Sequence, residues 1–353
     1  MSLLRKIRMT VGYLKNKYYL GPSYYPEKPR KSKFRIISEN IRYILENGKL
    51  DKNYFAYGFD VIGSDPQEYI KPKEFADLRN RENGRTGKKP NYTCLLENKE
   101  LFELVAKSKN LRALFSLGKY TEGQVWRDDS HRCSLETMLS SYPHLFLKGS
   151  TSEKGKGAYS VDITSDGKFM LNDSPSDLST IEATLNTSGK EYLVQPRIRQ
   201  HPVLNRIYPH SLNTVRIVSV INDGEVSIVS ALLRCGTDGR VVDNASQGGI
   251  FIGINEDGSL KKYGYYYPEF GTKSDHHPDT GLEFSTVSLP FYDQVIALTK
   301  EAHRAFSRTR SIGWDLAILE DGPILVEGNS CYADRVVQIC NGGIKKKIVA
   351  LLS

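Results

Sequence analysis

Asp315, Glu327 and Asn329 stand in the last apolar hairpin of the chain, on segments 313–319 and 323–329 joined by Glu320, Asp321 and Gly322. If those three residues form the loop, Leu319 pairs with Pro323, and counting outward sets Asp315 directly opposite Glu327 on one sheet face. Asn329 falls two residues further along that face. A two-residue loop would instead send the acids to opposite faces. Like charges opposite each other on a sheet repel, so the pair calls for a compensating cation. Two carboxylates and an amide oxygen are the hard ligands that Mg²⁺ takes when it also carries substrate phosphates. The apolar flanks Trp314, Leu316, Ile318, Ile324 and Val326 argue against two merely solvated strand-edge acids.

Lys148 supplies the second kind of chemistry. It ends an apolar run from Pro143 and opens into the glycine-rich stretch 149–157, after which a second strand, 158–163, begins. A lysine there reaches phosphate oxygens, and glycines let backbone N–H groups approach them. The stretch is no Walker A loop, because Gly155 stands where that pattern needs lysine. Neither H-R-D nor D-F-G follows, which excludes the protein-kinase glycine loop. Arg216 and Arg234 lie on strand-like segments, and Asp243 and Asn244 precede Gln247-Gly248-Gly249. Guanidinium groups held near an acid face suit phosphate or a developing oxyanion. Taken singly, each arginine reads equally well as a surface ion pair.

The elements that must position these residues are strongly β after residue 213. Segments 214–221 and 225–233 around Asn222-Asp223-Gly224 read as a hairpin. Residues 249–254 read as a further strand and 290–308 carry helical spacing. Residues 98–114 read as a helix capped by Asn98, with Lys99 at its start.

The chain has 353 residues, 39% hydrophobic and 25% charged, an ordinary globular balance that excludes general disorder. No apolar run reaches the roughly 18–20 residues of a membrane span, and early charges disfavour a signal peptide. Five cysteines without a C-x-x-C pair disfavour disulfides and structural zinc, and fit a cytoplasmic setting. The net charge of +8 is uneven. Residues 1–50 carry twelve Lys/Arg against three Asp/Glu, whereas the remainder is nearly neutral. Within this head, Leu4, Ile7, Val11, Leu14 and Tyr18 form one stripe of a basic amphipathic helix, ended by Gly21-Pro22. Residues 28–35 read as a basic extended linker. The helix reads as packed on the body, as docked on an anionic membrane face, or, least favoured, as bound to nucleic acid.

The ordered set resembles the ATP-grasp superfamily: Lys99, then Lys148 with its glycine-rich loop, a hinge strand ending in Gln195-Pro196-Arg197-Ile198, an arginine strand, and Asp315 with Glu327-x-Asn329. More narrowly it resembles the sugar-transfer-associated ATP-grasp proteins found with bacterial polysaccharide genes, through "SLNTVRIVSV", "VVDNASQGGIFIGI", "HPDTG" and "IGWDLAILEDGPILVEGN".

The resemblance implies an α+β ATP-grasp fold, two subdomains sandwiching ATP, behind a basic, mainly helical N-terminal region. The boundaries expected are 1–93, 94–196 and 197–353. It implies that Lys99, Lys148, Ser152, Lys154, Gly155, Gly157 and the hinge Gln195, Pro196, Arg197 and Ile198 hold ATP. Arg216 would contact the γ-phosphate, Arg234 and Asn244 the reacting carboxylate, and Asp315, Glu327 and Asn329 would bind Mg²⁺. The implied activity is an ATP-dependent carboxylate–amine ligase working through an acyl phosphate, with the glycine-rich loop as lid. Its substrates would be a uronic acid or similar carboxylate and an amine, in surface-polysaccharide synthesis. A phosphotransferase or a nucleotide-dependent membrane adaptor stands as the alternative. The partners implied are these small molecules or glycans, with peripheral contact at the inner membrane face through residues 1–35. The hinge carries Gln195-Pro196 where many relatives are acidic, and the first 90 residues show no βαβ pre-domain.

Overall fold

Fifteen strands divide between two antiparallel sheets in the computed structural model, which describes residues 3–127, 131–149, 157–187 and 191–352. The first sheet takes β1 (Gly118–Thr121), β2 (Gln124–Trp126), β3 (Arg132–Ser134), β4 (His144–Gly149), β5 (Ala158–Ile163), β6 (Phe169–Leu171), β7 (Ser174–Ser176) and β8 (Tyr192–Pro196), in the order 3-2-1-8-4-5-6-7. The second takes β9 (Thr214–Asn222), β10 (Glu225–Cys235), β11 (Ile250–Ile254), β12 (Leu260–Tyr265), β13 (Lys273–Ser274), β14 (Ser311–Leu319) and β15 (Gly322–Asn329), in the order 13-12-11-10-9-14-15.

Eleven α-helices accompany them among the described residues. The N-terminal region holds α1 (Leu3–Lys15), α2 (Lys33–Asn47) and α3 (Pro72–Glu82). Next come α4 (Cys94–Glu97), α5 (Lys99–Ser108), α6 (Leu135–Ser141), α7 (Leu178–Thr187) and α8 (Pro202–Ile207). The last are α9 (Tyr292–Ala305), α10 (Asp334–Asn341) and α11 (Lys345–Leu352).

Period-two alternation decides which face of each strand is buried. In β4, Leu145 and Leu147 join Val161, Tyr192 and Val194 in a core under α6 and α7, with Leu139, Ile181 and Leu185. His144, Phe146 and Lys148 therefore face the other way. The second sheet is covered on both sides. Val215, Ile217, Trp314 and Leu316 pack with Phe102 of α5 and Val295 and Ala302 of α9. On the opposite face, Val218 and Val220 meet the N-terminal aromatics Tyr57, Phe59 and Phe75 and the α10–α11 residues Val337 and Ile348.

The turn at Asp223-Gly224 joins β9 to β10 as expected, with both central residues at positive φ (48° and 84°) and Asn222 paired with Glu225. Asn98 caps α5 by accepting from the N–H groups of Glu100 and Leu101, but the helix ends at Ser108 rather than 114. Asn110, at φ 53°, turns the chain there. The basic stretch 28–35 is no free linker. Arg30 pairs with buried Asp60 at 2.8 Å, Lys31 is buried against Glu39 at 3.0 Å, and α2 begins at Lys33. All five cysteines are free thiols.

The β14–β15 turn corrects the expected register. Leu319 pairs with Gly322, so the loop is Glu320-Asp321 alone, the case that should separate the acids. A bulge restores them: Leu316 pairs with Leu325 but Asp315 with Glu327, and Val326 is the extra residue. One inserted residue shifts the alternation by one, returning Glu327 to the face of Asp315.

Candidate active site

Four neighbouring strands, in the order β10, β9, β14, β15, lay a row of charge across one face of the second sheet: Arg234, Arg216, Asp315 and Glu327. Arg216 is the register partner of Asp315 and grips it in a two-pronged bond, Nε to Oδ1 at 2.6 Å and Nη2 to Oδ2 at 2.8 Å. Arg234 Nη2 stands 3.4 Å from Asp315 Oδ2 and 3.3 Å from Asp243 Oδ1. Asn329 donates from Nδ2 to Glu327 Oε1 at 3.1 Å and lies 3.4 Å from Asp315 Oδ2.

Asp315 is only 1% exposed. Burial by itself would raise its carboxyl, but Arg216 and Arg234 overcome that and hold it down at about 2. The cation that the opposed acids require is thus supplied by the protein's own arginines. The acid pair alone therefore does not argue for a metal. Among the described residues no group of three or more His, Cys, Asp or Glu stands ready for one. The fit of Mg²⁺ rests instead on the chemistry of the donors. Asp315, Glu327 and Asn329 share one face; Asn329 turns its Nδ2 to the acids, so a flip of its amide would add a third hard oxygen to the two carboxylates, the set this ion selects.

Arg234 is positioned from behind. Its Nε and Nη2 donate to Thr214 Oγ1 at 3.1 and 2.9 Å, and the Thr214 hydroxyl and N–H both donate to Asp243. Burial pushes the Asp243 carboxyl up, against the pull of Arg234. Asp243, rather than its neighbour Asn244, is the residue that meets Arg234. Asn244 spends its side-chain oxygen on the N–H of Ser246 at 3.1 Å and caps the short turn Ala245–Gln247. The available signal was the arginine itself, since a guanidinium on an interior strand needs a carboxylate partner.

The other cations come from α5 and from β4 of the first sheet. Lys99, first residue of α5, donates from Nζ to the Gly149 carbonyl at 2.9 Å. Burial and the neighbouring Lys148 lower its ammonium to about 8, with Glu327 opposing. Lys99 thus stands between the lysine of one sheet and the acid of the other. Lys148 pairs with Leu193 of β8 and Ala158 of β5, on the face opposite the core. Gly149 and Gly157 meet at the loop base, where Gly157 adopts φ 73°. Ser152, Lys154 and Gly155 lie outside the described residues.

The hinge runs along a cleft of about 460 Å³ lined by Phe146, Ser160, Pro196, Arg197, Ile198 and Ser211. Gln195 is buried opposite Phe146, and Pro196 ends β8 opposite Leu145. Arg197 is committed elsewhere. Its N–H donates to the His144 carbonyl at 2.9 Å, and its guanidinium bonds Asp162 at 2.7 Å and Asp173 at 2.8 Å. It braces the hinge against β5.

A sequence model of the family described as "Sugar-transfer associated ATP-grasp" matches residues 79–350. The chain belongs to that family. Its fold is the ATP-grasp fold, of the α+β class. No curated protein matches the chain. Among solved structures it is similar to an L-amino acid ligase from Bacillus licheniformis, at 11% identity and TM-score 0.40, over 71% of this chain and 44% of that one. It is also similar to D-alanine–D-alanine ligase from Bacillus anthracis, at 9% identity and TM-score 0.43, over 88% and 83%. A third is carboxyaminoimidazole ribonucleotide synthase from Aspergillus clavatus, complexed with ATP, at 13% identity and TM-score 0.43, over 78% and 58%. The chain spans less than half the length of the first of these.

For an ATP-grasp site, the lowered ammonium of Lys99 has a measurable consequence. A lysine attracts phosphate only while protonated, so its contribution is present below about 8 and fades above it. Nucleotide affinity, followed by calorimetry across that range, should fall roughly tenfold per pH unit on the alkaline side. Lys99→Arg, charged throughout, should flatten the profile. An unchanged slope in that variant would assign the titration to another group.

Proposed function

We propose that this ATP-grasp protein is an ATP-dependent carboxylate–amine ligase that works through an acyl phosphate. The observation that carries the reading is the row Arg234, Arg216, Asp315 and Glu327, with Lys99 of α5 near enough to Glu327 for the two charges to interact. Lys99, Lys148 and Arg216 would draw the triphosphate against this row and offset the charge of its terminal group. Pro196 and Ile198 would present hinge backbone to the base, and Gln195 would border it. Mg²⁺, held by Asp315, Glu327 and Asn329, would supply Lewis-acid neutralisation of the transferring phosphoryl group.

In the first step a substrate carboxylate oxygen attacks the γ-phosphorus. A C–O–P linkage forms, the bond to the β-phosphate oxygen breaks, and ADP leaves. In the second, an amine attacks the acyl carbon, the C–N bond forms, and inorganic phosphate departs with the C–O electron pair. Arg234, held by Thr214 and Asp243, would meet the oxyanion of the tetrahedral intermediate. We assign Asn244 to shaping that loop. The family's association with sugar transfer supports a uronic acid or similar sugar carboxylate as the acid partner, in surface-glycan assembly at the cytoplasmic side of a membrane.

The test is hydroxamate formation, with hydroxylamine as the amine and a panel of uronic acids and amino acids. ATP- and magnesium-dependent hydroxamate from the native chain, absent with Glu327→Gln, is the expected result. ADP release with a phosphorylated product and no hydroxamate would replace the ligase by a phosphotransferase.

A further inference from the structure

Helix α1 divides into three sides, and only one of them is used by the fold. Lys6, Met9, Thr10 and Tyr13 turn inward. Tyr13 is buried, with its ring 6.1 Å from that of Tyr18 and 6.0 Å from that of Tyr19, and Lys6 donates to the Leu45 carbonyl of α2. These contacts set the helix in one rotation. The outward side is apolar: Leu3, Leu4, Ile7, Val11 and Leu14 are 69, 73, 49, 44 and 41% exposed. At 100° per residue these five fall within roughly a third of a turn. Arg5, Arg8 and Lys15, all exposed, border that stripe. Lys17 and Leu20, also exposed, follow immediately.

A folded protein has little reason to fix five large aliphatic side chains toward water. A helix that merely packed on the body would turn its aliphatic stripe inward, whereas here Leu3, Leu4, Ile7, Val11 and Leu14 face out beside the exposed Arg5, Arg8 and Lys15. We infer that the α1 face docks on an anionic lipid surface. The occupant is chosen by charge complementarity. A stripe of aliphatics edged by cations lies in the headgroup boundary with its side chains toward the acyl region and its cations against anionic headgroups. At 13 residues the helix is about 20 Å long and lies on a bilayer, and no described helix is long and apolar enough to cross one. Docking of this face would hold the protein at the surface where a lipid-borne or membrane-adjacent acceptor is found. The inference stands on α1 itself and not on the ligase reading.

Vesicle co-sedimentation of the full chain tests it. The native protein should pellet with vesicles of phosphatidylcholine containing phosphatidylglycerol, more weakly with phosphatidylcholine alone, and less as salt rises. Ile7→Asp/Val11→Asp should lower partitioning about a hundredfold or more, roughly the worth of two buried aliphatic side chains. Arg5→Gln/Arg8→Gln/Lys15→Gln should lower it roughly fivefold per charge, on anionic vesicles only. All these side chains are exposed, so thermal midpoints should be unchanged. Equal binding by native and variant proteins, or none by the native chain, would overturn the inference. So would dimerisation without vesicles that Ile7→Asp/Val11→Asp abolishes, since the stripe would then cover a second copy. Hydroxamate formation by the same variants separates the two readings, because losing the membrane contact leaves the soluble assay intact.

Discussion

Glu327→Gln should leave the protein folded and reduce magnesium-dependent ATP turnover by more than about a hundredfold, beyond what losing an outer-shell partner of a metal costs. The change keeps the shape of the side chain and its contact with Asn329 Nδ2, and removes one negative charge from a half-buried position. Among the described residues no arginine is paired with Glu327 as Arg216 is with Asp315, so its charge would be the more available to an incoming cation. Coupled ADP release, with urea unfolding as the structural control, separates the effects. Turnover within about tenfold of native, at saturating magnesium, would remove Glu327 from the proposed metal set.

Asp315→Ala should behave in the opposite way and cost stability first. Asp315 is buried and carries both arginines, so its loss strands Arg216 without its carboxylate and leaves Arg234 with Asp243 alone. Breaking a buried pair by removing one partner costs about 3–5 kcal/mol, which urea denaturation would register as a lower midpoint. A shift below about 1 kcal/mol would mean that water reaches the arginines freely. The same pairing fixes an acid dependence. A carboxyl held at about 2 in the folded state, against 3.8 as its ordinary value, stabilises the fold above pH 3.8. That contribution, on the order of 2 kcal/mol, is lost as pH falls through the interval down to about 2. Acid titration of the alanine variant should lack this component.

The two acids look alike in the sequence, one on each arm of a hairpin. What separates them is which strand lies next door. Asp315 is on the interior strand β14, flanked by β9 and its Arg216, whereas Glu327 is on the edge strand β15. Strand order is a long-range property, and spacing along the chain does not carry it.

The hairpin register gives a second instance. Counting from a three-residue loop reached the right pairing of Asp315 with Glu327 through the wrong turn. The chain makes the shorter turn and inserts Val326 as a bulge. Turn signals are local, and Asp321-Gly322 reads equally well either way. The bulge answers to packing on both sides of the strand, which the local pattern does not describe. For Arg234, the partner Asp243 lies nine residues on, across a turn, while its neighbour Asn244 caps the next turn, Ala245–Gln247.

Much was nonetheless legible from residue types alone. Apolar runs marked β4, β5, β8, β9, β10, β11, β14 and β15, Asn98 marked the start of α5 beside Lys99, and Asp223-Gly224 closed the β9–β10 hairpin, while the short strands β1–β3, β6, β7, β12 and β13 were not legible. The order of Lys99, Lys148, Arg216, Asp315, Glu327 and Asn329 pointed to the ATP-grasp family before any fold was drawn. Those features depend on neighbours within a few residues, where sterics and hydrogen bonding are local. The amphipathic pattern of α1 was equally plain in the chain, and it allowed a packed helix or an exposed one. Only the tertiary structure turned Tyr13 inward and left the aliphatic stripe facing water, because the surface that a helix meets is assembled from distant segments.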